Sequence, residues 1–258
     1  MVNFLVGLFF FLFGLCVGSF LNVVVYRLNH NLSPLRGRSF CPKCKKKIPW
    51  RDNIPLFSFI LLRGRCRFCH SPISWQYPLV ELATSILTLL TIYFSSLYLD
   101  AGWFEISFYL LITYALIALF VSDFRYQTIP DEIVYSAMVL ALLFGIIGGI
   151  DLVKGLVAGV VGAAFFGILV LATRGRGMGM GDVKLVGFMG LFLGFPKIAV
   201  ALMTAFLTGA LVGVILVLIG KKRFGEHIPF GPFLTSATWV SFFWGQIIWQ
   251  FYVEKVLV

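Results

Sequence analysis

Eight apolar stretches, most near the length that crosses a bilayer as helix, constrain this chain more than anything else in it. They run roughly over residues 2–26, 77–99, 103–122, 131–150, 154–173, 183–196, 198–220 and 228–252. Hydrocarbon offers backbone amides no water to bond, so such stretches fold as helices. With 60% of residues hydrophobic and only 12% charged, the chain is too apolar for a water-soluble domain. The expectation is an all-α, polytopic membrane protein. The stretch 183–196 is short and holds Gly187, Gly190 and Gly194, so it reads as a half-helix, a tilted span or a re-entrant piece, and the number of spans as seven or eight.

Basic residues orient the spans, because short loops rich in Lys and Arg stay in the cytoplasm. With eight spans and an outside N-terminus, the inside segments carry the eleven basic residues from Arg27 to Arg67, then Arg125, Arg174, Arg176, Lys184, Lys221, Lys222 and Arg223. Lys154, Lys197 and Lys255 alone fall outside. The net charge of +10 is therefore topology, with some attraction to anionic membrane lipid, and does not point to nucleic acid. The first stretch lacks a basic start and ends in Tyr26-Arg27, as a retained span does and a cleaved signal does not.

One polar insert, residues 27–76, interrupts the helices. At this size it needs a staple, and Cys41-Pro-Lys-Cys44 with Cys66-Arg-Phe-Cys69, 21 residues apart, supplies a set matching tetrahedral thiolate zinc. Two disulfides or free thiols compete with this reading, and a reducing cytoplasm disfavours disulfides. Lys43, Lys45, Lys46, Lys47, Arg65 and Arg67 flank the set and offset its charge. Four sulfur ligands leave no open position, so the ion would be structural. His30 and His70 read as solvated residues beside a complete set, and Cys16 as a small packing residue.

Two acids stand at membrane edges, where an ionisable group is costly and suggests a function. Asp123 ends one apolar stretch and opens Asp123-Phe-Arg-Tyr-Gln-Thr-Ile-Pro-Asp131; Asp182 follows Gly177-Met-Gly-Met-Gly at the start of another. By topology both face the cytoplasm. Asp123, at the C-terminal end of its helix, opposes the dipole and gains nothing from capping, whereas Asp131 after Pro130 reads as a helix cap. Paired carboxylates sharing one proton can hydrolyse a peptide, one activating water and the other polarising the carbonyl. The glycines beside Asp182 would let an extended substrate approach, and Lys184, Arg174 and Arg176 could keep one acid charged. A proton- or cation-coupled transporter using the same aspartates is the competing reading, as is a scaffold with no chemistry.

These motifs occur in order with others: Gly18-Ser-Phe-Leu-Asn-Val-Val-Val-Tyr-Arg27, Asn53-Ile-Pro-Leu-Phe-Ser, Leu62-Arg-Gly-Arg65, Tyr77-Pro-Leu-Val-Glu-Leu82 and Ile228-Pro-Phe-Gly-Pro-Phe233. Together they closely resemble the bacterial prepilin peptidases, the type IV leader peptidases of the Gly-x-Gly-Asp aspartic class. The resemblance implies that Asp123 and Asp182 are the catalytic pair. It implies cleavage of the basic leader of prepilins and pseudopilins, the substrates of type IV pilus and type II secretion systems, at the cytoplasmic face of the bacterial inner membrane. It also implies N-methylation of the new N-terminus with S-adenosylmethionine, an activity associated with the insert. Residues 1–26 then form the first span, 27–76 the cytoplasmic tetracysteine region and 77–258 the bundle with the protease site. Asn22 and Glu81, polar groups inside apolar stretches, are methylation candidates by burial cost, or else partners for each other or for a helix backbone. Gly-Arg65 stands where many members of the family carry Gly-Lys.

Overall fold

The computed structural model describes residues 4–34, 36–147, 150–175, 178–222 and 228–257. Its α-helices are α1 Phe4–Leu28, α2 Phe57–Leu61, α3 Gln76–Tyr98, α4 Trp103–Tyr126, α5 Asp131–Ile146, α6 Leu152–Ala172, α7 Met180–Leu193, α8 Lys197–Leu218 and α9 Gly231–Tyr252. Apart from the short α2, they coincide with the eight apolar stretches. Five of them, α1, α3, α4, α6 and α8, are each long and apolar enough to cross a bilayer. Helices α5 and α7, of 16 and 14 residues, rise about 24 and 21 Å, less than the ~30 Å hydrocarbon core.

The chain divides into two compact units. The first comprises Met1–Gly102 with Tyr109–Ala118 of α4. Here α1 lies against α3 at backbone distance, because Gly14 and Gly18 have no side chain there: a Cβ would fall 2.6 Å from Ser85 Cα and 2.7 Å from Glu81 Cα. Small residues one turn apart are how helices approach closely without water to drive them together. The facing stripe of α3, Thr84, Ser85, Thr88, Thr91 and Ser95, is fully buried. Thr84 and Thr88 donate to carbonyls four residues back, both at 2.7 Å, and Ser85 donates to Phe11 O at 2.6 Å. Thr88 and Thr91 also bond Tyr114 and Thr113 of α4. At the end of α1 the buried Arg27 guanidinium donates to the carbonyls of Ser33, Pro34, Arg36 and Arg38, folding the start of the insert around itself.

The second unit comprises Trp103–Phe108 with Leu119–Val258, and α7 is its central helix. Leu185, Val186, Phe188 and Met189 have no solvent exposure. The sequence suggested a helix broken by glycine, but α7 is continuous to Leu193 and stops only at Gly194, whose φ is +64°. Gly190 faces Gly159 of α6, where a Cβ would lie 2.5 Å from Gly159 Cα, while a Cβ on Gly187 would meet Met138 of α5 and Ala163 of α6. The glycines are a contact surface between two helices and break neither of them. Phe166, Phe206 and Phe230 pack together where α6, α8 and the start of α9 meet. The outward faces of α6 and α8 carry Val153, Val157, Val160, Leu171, Leu207, Leu211 and Leu218, all exposed, as lipid-facing helices require. Cys16, expected in packing, is exposed on α1.

Candidate active site

Asp123 sits in the last turn of α4. Just before it, Ser122 Oγ donates to Thr128 O at 2.9 Å and turns the chain back as the helix ends. The side chain is buried, and its Oδ2 accepts the Gly231 N–H at 2.8 Å. Gly231 is the first residue of α9 and precedes Pro232, which has no N–H to offer. The glycine must be bare: a Cβ would fall 2.6 Å from the same carboxylate oxygen. In the sequence, Phe230-Gly-Pro-Phe233 stands out as a motif without a visible role. The only available signal was a glycine ahead of a helix-starting proline, which any helix start could carry.

Asp182, also buried, lies in the first turn of α7, and its Oδ2 accepts the Gly179 N–H at 3.2 Å. The acid thus folds back on the orphan amide at its own helix start, where the dipole favours negative charge. The segment after Asp123 is held to this turn at two points. Gly181 abuts Ile129, where a Cβ would come within 3.0 Å of Ile129 Cβ. Lys184 Nζ donates to both Asp131 oxygens, at 2.7 and 2.8 Å. These contacts bring the end of α4 to the start of α7, close enough for charge on Asp123 to act on Asp182.

Two sequence expectations need correction here. Asp131 caps nothing: Pro130 holds the cap position of α5, and the Asp131 carboxylate is turned to Lys184. The cap residue Pro130 has no N–H for the carboxylate to fold back on, while the Lys184 ammonium lies within reach. Lys184 is therefore engaged with Asp131 and is not the counter-ion expected for Asp182. Arg174 is exposed beyond the end of α6, and Arg176, Gly177 and Arg223 lie outside the described residues.

In the insert, the four cysteine sulfurs lie within 4.8 Å of one another and could hold a metal ion. The two knuckles share one backbone plan. Lys45 N–H donates to Cys41 O at 2.8 Å and His70 N–H to Cys66 O at 2.9 Å, with Lys45 and His70 both at positive φ. Isolated bridges Phe40–Lys47 and Arg65–Pro72 close them. Arg67 forks onto Asp52, with Nε–Oδ2 at 2.6 Å and Nη2–Oδ1 at 2.5 Å, and this lowers the Asp52 carboxyl below its ordinary range. His30 stacks on Tyr26.

Asn22 and Glu81 do not pair in the way the sequence left open. Asn22 Nδ2 donates to Tyr77 O at 3.2 Å, and Glu81 Oε2 accepts the Leu56 N–H at 2.8 Å.

Residues 12–95 match the bacterial peptidase A24 N-terminal domain, and residues 110–214 match the type IV leader peptidase family. A prepilin leader peptidase/N-methyltransferase of Aeromonas hydrophila is 36% identical, over 96% of this chain and 93% of that protein. The proteins of the same name from Pseudomonas aeruginosa and Neisseria gonorrhoeae are each 34% identical, over 94% and 92% of this chain and 92% and 90% of theirs. No solved structure matches the chain. Two family domains in register and relatives aligned over nearly the whole length leave one assignment: the chain belongs to the type IV leader peptidase family.

Proposed function

We propose that this protein removes the basic leader of type IV prepilins and pseudopilins with Asp123 and Asp182 as its catalytic pair, then N-methylates the new N-terminus. The observation that carries the peptidase half is that two buried acids, at the end of α4 and the start of α7, are drawn to one place by the Gly181–Ile129 and Lys184–Asp131 contacts, one oriented by the Gly231 amide and the other by its own helix start. Neighbouring carboxylates cannot both ionise cheaply, so the pair shares a proton. The charged member takes a proton from water, which attacks the scissile carbonyl, while the protonated member donates to the carbonyl oxygen. When the tetrahedral intermediate collapses, the proton goes to the departing amine. Gly179 keeps the approach to Asp182 open to an extended backbone, since a Cβ there would still lie 3.9 Å from Asp182 Oδ2, whereas the bare face of Gly181 is taken up by Ile129.

The site lies on the cytoplasmic side of the inner membrane. The distribution of basic residues supports this, and so does the substrate: a basic leader stays in water while the apolar pilin helix stays in lipid. Residues 1–26 form the first span, 27–76 the cytoplasmic module tied to methylation, and 77–258 the bundle carrying the peptidase. Cys41, Cys44, Cys66 and Cys69 hold a structural zinc. The Cys41–Cys69 sulfur separation of 3.9 Å is close to the edge, about 3.8 Å, of a tetrahedron with ~2.3 Å zinc–sulfur bonds. S-adenosylmethionine supplies the methyl group.

The test is co-expression with a prepilin, following its size and N-terminal mass for wild type, Asp123→Asn and Asp182→Asn. Leader loss in wild type alone supports the pair, and the mass of one added methyl group reports the second activity. Unchanged processing in both variants would return the aspartates to transport or to structure.

A further inference from the structure

A buried acid that leader cleavage does not use is Glu81, one and a half turns into α3. It is 7% exposed and surrounded by neutral polar groups. Its Oε2 accepts the Leu56 N–H at 2.8 Å, and the Ser19 hydroxyl lies near the same carboxyl. One turn along α1, Asn22 is 2% exposed, and its Oδ1 has no hydrogen-bond partner, while its Nδ2 is spent on Tyr77 O. Leu56 holds φ +58° and ψ −49°, a strained conformation for a β-carbon-bearing residue, with its amide aimed at Glu81. The groups facing the carboxyl from α1 and from the insert are thus Ser19 and the Leu56 amide. Among the described residues neither contact is charged.

A buried acid with no cation, one helical turn along α3 from the Tyr77 carbonyl that holds an asparagine whose acceptor has no donor, is short of positive hydrogen-bond donors. A primary ammonium supplies three. Glu81 also lies at a suitable depth, five residues into α3, or about 7.5 Å along its axis. A pilin cut just ahead of its apolar helix presents its new N-terminus at such a membrane edge.

Resting on the peptidase/N-methyltransferase reading above, we infer that Glu81, with Ser19, Asn22 and the Leu56 amide about it, receives the α-ammonium of the cut pilin and acts as the base for its methylation. An ammonium has no lone pair and cannot attack. One proton passes to the Glu81 carboxylate, and the freed nitrogen pair bonds the sulfonium methyl carbon. The carbon–sulfur bond breaks with its electrons left on sulfur as a neutral thioether. The methylated nitrogen keeps its two protons and the positive charge, and Glu81 returns its proton to water. Asn22 Oδ1 positions the ammonium by accepting from it.

Glu81→Gln in the full-length, detergent-purified protein tests this. It keeps the oxygen that accepts from Leu56 and removes the base. Leader cleavage is expected within about twofold of wild type, with the methylation kcat at neutral pH down by ~10²-fold and the KM for the methyl donor unchanged. The defect should shrink as pH rises past about 8, where an α-amine loses its proton unaided. A binding measurement without methyl donor adds a second readout. Wild type should prefer a mature pilin peptide with a free amine over its N-acetylated form by about tenfold, and Glu81→Gln should lose the preference. The inference is overturned by full methylation in Glu81→Gln, by a defect equal at every pH, by undiminished preference for the free amine, or by loss of cleavage in step with methylation. A raised KM for the donor would place Glu81 on the donor and overturn it too. If wild type neither cleaves nor methylates prepilin, the functional reading itself fails. If wild type and variant do both, only the role of Glu81 fails.

Discussion

Gly231→Ala is a way to test whether the position of Asp123 matters without touching either carboxylate. A Cβ there would lie 2.6 Å from Asp123 Oδ2, 2.9 Å from Cγ and 3.0 Å from Cβ. Carbon and oxygen settle at about 3.3 Å or more, so the pair must separate by about 0.7 Å. The start of α9 is the less free to move, since Leu234, Thr235 and Thr238 behind it have almost no exposure. The carboxylate therefore shifts, and its 2.8 Å bond to the Gly231 amide is lengthened or lost. Misplacing a reacting group by that distance costs between about 10- and 100-fold in rate. No substrate contact is removed, so the loss should appear in kcat and spare KM. The assay is the initial rate of leader removal by purified protein. Gly167→Ala serves as control, because a Cβ there meets nothing within 4 Å. If Gly231→Ala retained its thermal unfolding temperature and cleaved at the wild-type rate, the Gly231–Asp123 contact would have no part in catalysis.

Asp131→Asn removes an exposed ion pair that only steadies the segment after Asp123, so cleavage should fall by no more than about tenfold. Inactivity equal to that of Asp123→Asn would give Asp131 a direct role. Gly190→Ala puts a methyl group 2.5 Å from Gly159 Cα and 2.6 Å from Ala158 C. Overpacking of this kind costs about 1–3 kcal/mol, and a fall in the detergent unfolding temperature would register it. The thiolate cluster should release about one zinc per chain on denaturation, measured by a chromogenic chelator, and Cys41→Ser should release almost none. Fully folded protein without metal would remove the zinc assignment.

Much of the candidate site could be read before the fold was known, because its cost was visible. Asp123 ends one apolar stretch and Asp182 opens another, and the four cysteines repeat at ligand spacing. Less legible was what each polar group touches. Asp131 looked like a cap by its place after Pro130, yet Lys184, 53 residues away, holds it. Gly187 and Gly190 looked like breaks, since glycine lowers helix propensity, yet Gly190 faces the backbone of α6 and Gly187 the side chains of Met138 and Ala163, so both serve packing. Glu81 and Asn22 were recognisable as buried, but their partners Leu56 and Tyr77 were not.

The sequence by itself determined that this chain is a set of membrane helices with one cysteine-bearing insert, and which acids stand at their ends. Those properties follow from local free energies: apolar length against bilayer thickness, the burial cost of a carboxylate, the spacing of thiols. Only the tertiary structure decided that the Gly231 amide orients Asp123, that Lys184 serves Asp131, that Glu81 meets the Leu56 amide, and that Asn22 Oδ1 is left without a donor. The physical reason is range. A hydrogen bond forms between atoms about 3 Å apart whatever their separation along the chain, and the packing of bare glycine faces, such as Gly14 and Gly18 on α3 or Gly190 on α6, sets which atoms come that close.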